Sequence, residues 1–228
     1  MAIHVSEVFP RNWRDIILPG HPVGIGTDLG TTQKARSNPT ALALTQYVAP
    51  DYYCRLALRW KTNNPDITRQ ILATACMLPH GLRPVLCIDS SNERFFAADL
   101  KRLFAPRCKV ILYVAGEAIE HKGERMPKKT YVGNLLRNAL NDSRQALPPD
   151  DWIYRDLRLV QDEAGGFAFN LDEDGNHADF AQALMLSHFA LDQGTGGPIQ
   201  ASAFNMARES VSTTTGRDPL RRPSPRFS

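Results

Sequence analysis

The chain has 228 residues, 43% hydrophobic and 22% charged, the balance of a folded globule rather than a disordered or fibrous chain. No apolar run reaches the length of a bilayer span and the N-terminus (MAIHVSEVFPRNW) lacks a basic-then-apolar leader, so the expectation is a cytoplasmic protein with no membrane partner. Four cysteines (Cys54, Cys76, Cys87, Cys108) show no CxxC spacing and sit in or beside apolar stretches. That excludes a disulfide scaffold or a familiar zinc site and reads as reduced core thiols.

In chain order, residues 1–22 read as an N-terminal extension. A short strand follows over 23–28, stopped by Leu29-Gly30. Residues 40–48 (TALALTQYV) alternate after the turn-forming Ser37-Asn38-Pro39, and 52–60 (YYCRLALRW) form a third strand. Short connections make these three an antiparallel meander. Asn64 and Pro65 then open a helix through Ile67, Ile71, Leu72 and Ala75. Val85-Leu86-Cys87-Ile88 is a continuous apolar run of the kind buried on both faces of a sheet, and it ends at Asp89. Ser90 and Glu93 fit a capping box opening a helix through Phe95, Leu100 and Leu103. Residues 109–115 form a fifth strand and 131–147 a helix. A late hairpin pairs 155–160 with 166–171, and a last helix runs from about His177 to Leu191. This order predicts an α/β fold over 23–193: a mixed five-stranded sheet flanked by helices, with the hairpin as an insertion. Residues 194–228, rich in Gly, Ser, Thr, Pro and Arg, read as a flexible basic tail.

Charge is unevenly spread. The net +3 rests entirely on the stretch from Ala207 on, which carries five arginines and two acids. Within the body, residues 107–137 hold seven basic and three acidic side chains, whereas 150–179 hold nine acidic and two basic. Such a pair of regions fits phosphate steering beside a metal site, and equally two solvated faces.

Three aspartates stand out by position. Asp28 and Asp89 end the first and fourth strands, so if those strands are parallel neighbours their carboxylates converge at one sheet edge. Asp179 lies in the first turn of the last helix. Carboxylates so crowded repel unless protonated or metal-bound, and hard oxygen donors suit Mg²⁺ or Mn²⁺. Two such ions together activate water and stabilise the leaving oxygen of a phosphodiester. Read singly, Asp28 opens a turn, Asp89 caps the next helix and Asp179 complements a helix dipole; the residues alone leave both readings open.

The run Gly24-Ile-Gly-Thr-Asp28-Leu-Gly-Thr-Thr32, with Ser37-Asn-Pro-Thr-Ala41 after it, resembles the opening of a ribonuclease H-like nuclease. It is most similar to the nuclease domain of phage terminase large subunits, and the resemblance spans residues 23–191. In that family a second acid ends the fourth strand, here Val85-Leu-Cys-Ile-Asp89. A third lies in a late His-Asp-Asp-like motif before an alanine-rich stretch, here His177-Ala178-Asp179-Phe-Ala-Gln182-Ala183-Leu184. Ala178 replaces the middle acid, and Gln182 stands where Asp is common.

The resemblance implies a Mg²⁺- or Mn²⁺-dependent endonuclease that cuts double-stranded DNA during phage genome packaging. Asp28, Asp89 and Asp179 would hold two ions, with Asp28 as the bridge, and the products would carry 5′-phosphate and 3′-hydroxyl ends. His177 either orders water or protonates the leaving group, or else caps the helix. Asp174 is an additional ligand or part of an acidic turn. Asp66 lies roughly where ribonuclease H supplies a glutamate. Lys122, Arg125, Lys128 and Lys129, on an expected loop, either contact DNA phosphates without reading sequence or are simply solvated. No GxxxxGK[ST] phosphate loop is present, so the expectation is a nuclease working beside a separate packaging ATPase, a small terminase subunit and a portal, in the host cytoplasm. Three alternatives share these motifs. The first loop also resembles the phosphate-binding loop of actin-like and heat-shock-chaperone ATPases. A Holliday junction resolvase-like nuclease and a non-catalytic docking domain for a packaging ATPase complete the set.

Overall fold

The computed structural model describes residues 4–30, 38–163, 166–172 and 177–194. Strands β1 (Val23–Asp28), β2 (Thr40–Val48) and β3 (Asp51–Trp60) form the expected antiparallel meander. After helix α1 (Val5–Val8) and ahead of β1, Trp13 and Ile17 are buried in the same core as the sheet, so residues 4–22 pack on the fold. Beyond helix α2 (Pro65–Cys76), β4 (Val85–Asp89) pairs parallel to β1. Helix α3 (Arg94–Phe104) leads to β5 (Lys109–Tyr113), parallel to β4. The sheet order is therefore β5-β4-β1-β2-β3, mixed as predicted, with a sixth strand, β8 (Gln145–Ala146), beside β3. Two residues are too few to leave an alternating pattern in a sequence.

Both faces of this sheet are buried, and side-chain size tells them apart. In β2, Leu42 and Leu44 point to one face and Ala41 and Ala43 to the other. The large-residue face, with Leu56, Leu86 and Ile88, packs on α2 and α3 through Ile71, Leu72, Leu100 and Phe104. The small-residue face receives α6 (Asp179–Gly194), whose residues are buried almost all round. Gly24 and Gly26 of β1 let that helix sit directly on strand backbone. A Cβ at Gly26 would lie 2.0 Å from the Ala183 carbonyl oxygen, and one at Gly24 2.2 Å from that of Ser187. The Thr45 and Ser187 hydroxyls, 2.6 Å apart, tie α6 to β2.

Several boundaries differ from the expected ones for identifiable reasons. Asn64 caps α2 as expected, its Oδ1 accepting from the Asp66 N–H at 2.9 Å. Ser90 does not cap α3: its Oγ donates to the Tyr113 carbonyl at 2.8 Å, and the helix begins later, at Arg94. The expected loop after β5 contains a hairpin, β6 (Ala118–His121) and β7 (Glu124–Pro127), and runs straight into α4 (Lys128–Asn141). Residue 155 belongs to helix α5 (Asp151–Leu157), not to a strand, because Ile153 and Leu157 at i, i+4 face the core. The late hairpin is consequently shorter, β9 (Val160–Glu163) with β10 (Gly166–Phe169). Residues 195–228, expected as a tail, lie outside the described residues, as do Thr31 and Thr32 of the first motif. All four cysteines are free and buried. Among the described residues no helix is long and apolar enough to cross a membrane.

Candidate metal centre

The parallel pairing of β1 with β4 aligns Thr27 with Ile88, so the next residues of the two strands are Asp28 and Asp89. Asp28 follows Gly24 and Gly26 at two-residue intervals and therefore faces α6, as Asp89 does after Cys87. On α6, Ala183 sits over Gly26, and one turn nearer the N-terminus Asp179 comes over Asp28. In the same turn, Gln182 donates from Nε2 to Asp89 Oδ2 at 3.1 Å. Two strand tips and one helix start thus bring the three predicted aspartates to one corner, at the C-terminal edge of the parallel strands.

The electrostatics of that corner are dominated by burial and like charges. Burial pushes the Asp28 carboxyl well above the usual carboxylate range, and the charges of Asp89, Asp179 and Asp156 push it further. Asp179 is only 5% exposed and its Oδ2 is buried without a hydrogen-bond partner. Burial first, then Asp156, raise it to about 7, with Lys61 opposing. Asp89 is tied more firmly: its Oδ1 accepts from the Ser91 N–H at 2.8 Å, and its Oδ2 takes the Gln182 bond.

Asp156 of α5 was not visible as a site residue in the sequence. Its Oδ1 accepts from the Ala181 N–H at 2.8 Å and its Oδ2 from the Phe180 N–H at 3.3 Å, so it caps α6 from another helix. Burial raises it to about 6 against those two bonds. Only its membership of the acidic stretch 150–179 hinted at a role.

The remaining predicted residues divide. His177 stands half-buried two residues before Asp179. Asp174 lies outside the described residues. Asp66 is not at the corner: it lies on α2, across the sheet, exposed and paired with Arg69 at 2.6 Å. The four basic residues are not on one open loop. Lys122 is at the tip of the β6–β7 hairpin and Arg125 on β7, both exposed. Lys128 and Lys129 open α4, where Lys128 pairs with Glu117 and Lys129 lies 4.7 Å over the Phe169 ring. Because Asp89 pairs with Tyr113, the hairpin that follows β5 springs from the same sheet edge as the carboxylates.

Among the described residues no group of three or more His, Cys, Asp or Glu side chains is arranged to hold a metal ion as it stands. The chemistry of the corner nonetheless fits a divalent cation. It offers hard oxygen donors, one of them a buried orphan, and three carboxylates whose mutual repulsion a cation would relieve.

No family model matches the sequence, and no curated protein is significantly similar to it. Solved structures do match. The large terminase nuclease of thermophilic phage G20c aligns with 80% of this chain and 96% of its own, at 14% identity and a TM-score of 0.50. The large terminase nuclease domain of Thermus phage P74-26 aligns with 83% and 98%, at 13% identity and a TM-score of 0.49. The human cytomegalovirus terminase nuclease domain aligns with 81% and 95%, at 8% identity and a TM-score of 0.49. The architecture is thus ribonuclease H-like. Within that class, the fold is the one adopted by terminase nuclease domains.

Proposed function

We propose that this chain is a metal-dependent endonuclease that hydrolyses double-stranded DNA during the packaging of a phage genome. The observation that carries the reading is the orphaned, buried Oδ2 of Asp179 at the corner where Asp28 and Asp89 end their strands. Asp28 and Asp179, with Asp89 beside them, would hold Mg²⁺ or Mn²⁺. A pair of such ions supplies an activated water and stabilises the leaving oxygen of the phosphodiester. The charges of both other carboxylates act on Asp28, which makes it the bridging candidate. Asp89 is held in place by Ser91 and Gln182, and its oxygens retain lone pairs for a cation. His177, two residues before Asp179, would order a water or give a proton to the leaving oxygen. Asp174, in the stretch just before it, is proposed as an additional ligand.

Lys122 and Arg125 reach outward from a hairpin rooted at the same edge and would hold DNA phosphates, whereas Lys128 and Lys129 are engaged within the protein. A packaging ATPase on a separate chain, a small terminase subunit and a portal are the proposed partners. The test is nicking or linearisation of supercoiled plasmid with Mn²⁺ or Mg²⁺. The wild-type chain cuts, whereas Asp28→Ala and Asp89→Ala proteins stay folded and do not. Undiminished cutting by the Asp89→Ala protein would overturn the assignment.

A further inference from the structure

We infer that Asp156 is a positioning residue for the metal centre: from α5 it fixes the first turn of α6, and so the place and charge environment of Asp179. This inference rests on the metal reading above.

Three observations support it. The first turn of an α-helix presents backbone N–H groups without intrahelical partners, and it is commonly capped by the residue just ahead of it. Here that residue is Ala178, whose methyl side chain cannot accept a hydrogen bond. The missing acceptor comes instead from Asp156 of α5, through one oxygen to Ala181 and the other to Phe180. A cap drawn from α5 ties the start of α6 to that neighbouring helix, which a cap from the adjacent residue cannot do.

Asp179 opens that same turn, and its Oδ2 makes no hydrogen bond of its own. The cap holds the two backbone N–H groups that follow Asp179, and with them the turn from which its side chain projects. Finally, the Asp156 charge acts on both Asp179 and Asp28, adding to the negative potential that a cation would meet. Partners behind a metal's direct ligands characteristically change metal affinity about 10- to 100-fold when removed.

An ordinary helix cap would affect stability alone, so the experiment separates the two effects. Mn²⁺ binding to the full chain is measured by calorimetry for wild type, Asp156→Ala, Asp156→Asn and Asn64→Ala. The last removes the cap of α2, whose Asn64 accepts from Asp66 away from the corner. The expected result is Mn²⁺ affinity at least about tenfold weaker in Asp156→Ala. Asp156→Asn, which keeps one acceptor for the Ala181 N–H, should fall between it and wild type, and serves as the test protein if the alanine variant does not fold. Asn64→Ala should bind as wild type does while melting at a lower temperature. Affinity within twofold of wild type in both Asp156 variants overturns the inference, as does an equal loss in Asn64→Ala. A wild-type chain that takes up no Mn²⁺ removes the metal reading itself, and the inference with it.

Discussion

Replacing Gly26 with alanine tests the link between sheet and site, because the added methyl meets backbone rather than a movable side chain. Its Cβ would lie 2.0 Å from the Ala183 carbonyl oxygen, 2.4 Å from the Ser187 nitrogen and 2.8 Å from the Leu186 carbonyl carbon. Restoring ordinary contact requires α6 to lift by about 1.4 Å, taking 3.4 Å as the lower limit of such contacts. Overpacking costs about 1–3 kcal/mol, and a clash between two backbones belongs at or above the upper figure. At about 2–4 °C per kcal/mol for a chain of this length, Gly26→Ala should melt about 6–12 °C below wild type. The same lift carries Asp179 away from Asp28, one turn along the helix and two residues along the strand. A displacement of about 1 Å can cost about 100-fold in rate, so DNA cleavage should fall much further than stability. Gly116→Ala is the control, since a Cβ there meets nothing within 4 Å. Circular dichroism melting and plasmid nicking read the two effects. A Gly26→Ala protein that melts with wild type and cuts DNA at the wild-type rate would contradict a direct seating of α6 on the β1 backbone.

Other expectations follow from the charges and the thiols. Asp179 is held near pH 7 and Asp156 near 6, both above the ordinary carboxyl value, so the folded chain binds protons there that the unfolded chain has released. Stability from these groups is therefore present at about pH 4 and is lost as pH rises through 6 to 7. Asp179 alone contributes on the order of 4 kcal/mol to that loss. The melting temperature of the metal-free protein should fall between pH 5 and pH 8, and added Mn²⁺ should raise it most at pH 8; a flat profile would contradict the buried carboxylates. In DNA-binding titrations, a Lys122→Ala/Arg125→Ala double variant should lower the slope of log affinity against log salt by about 2. Lys128→Ala should change it little, and equal changes in the two would contradict the hairpin assignment. The four buried cysteines should resist a thiol reagent in the native protein and react together on unfolding, and rapid labelling of any one would contradict their burial.

Much of this fold could be read from the sequence because its signals are local. The alternation of Leu and Ala along TALAL marks a strand buried on two unlike faces, and Asn64-Pro65 marks a helix start by capping chemistry. Asp28 and Asp89 drew notice because each ends a strand, and Asp179 because it opens a helix. Features created by distant contacts were not. Ser90 has the right spacing for a capping box, yet its hydroxyl goes to Tyr113 across the sheet. Asp156 looks like any acid in an acidic stretch until α6 is brought against it. The β6–β7 hairpin did leave a signal, the Lys122-Gly123 pair with φ of 53° and 82°, the left-handed pair that a two-residue turn needs. Its polar strands, whose hydrophobic residues packed against the core are Ile119 and Met126, hid it.

If Asp28, Asp89 and Asp179 form a divalent-cation site, anomalous diffraction from crystals soaked in Mn²⁺ will show it. A peak is expected at this corner of the sheet, about 2.1 Å from carboxylate oxygens of Asp28 and Asp179, and absent from Asp28→Asn crystals. Crystals that soak up Mn²⁺ elsewhere and leave the corner without a peak, from a preparation whose DNA cleavage needs that ion, would contradict it.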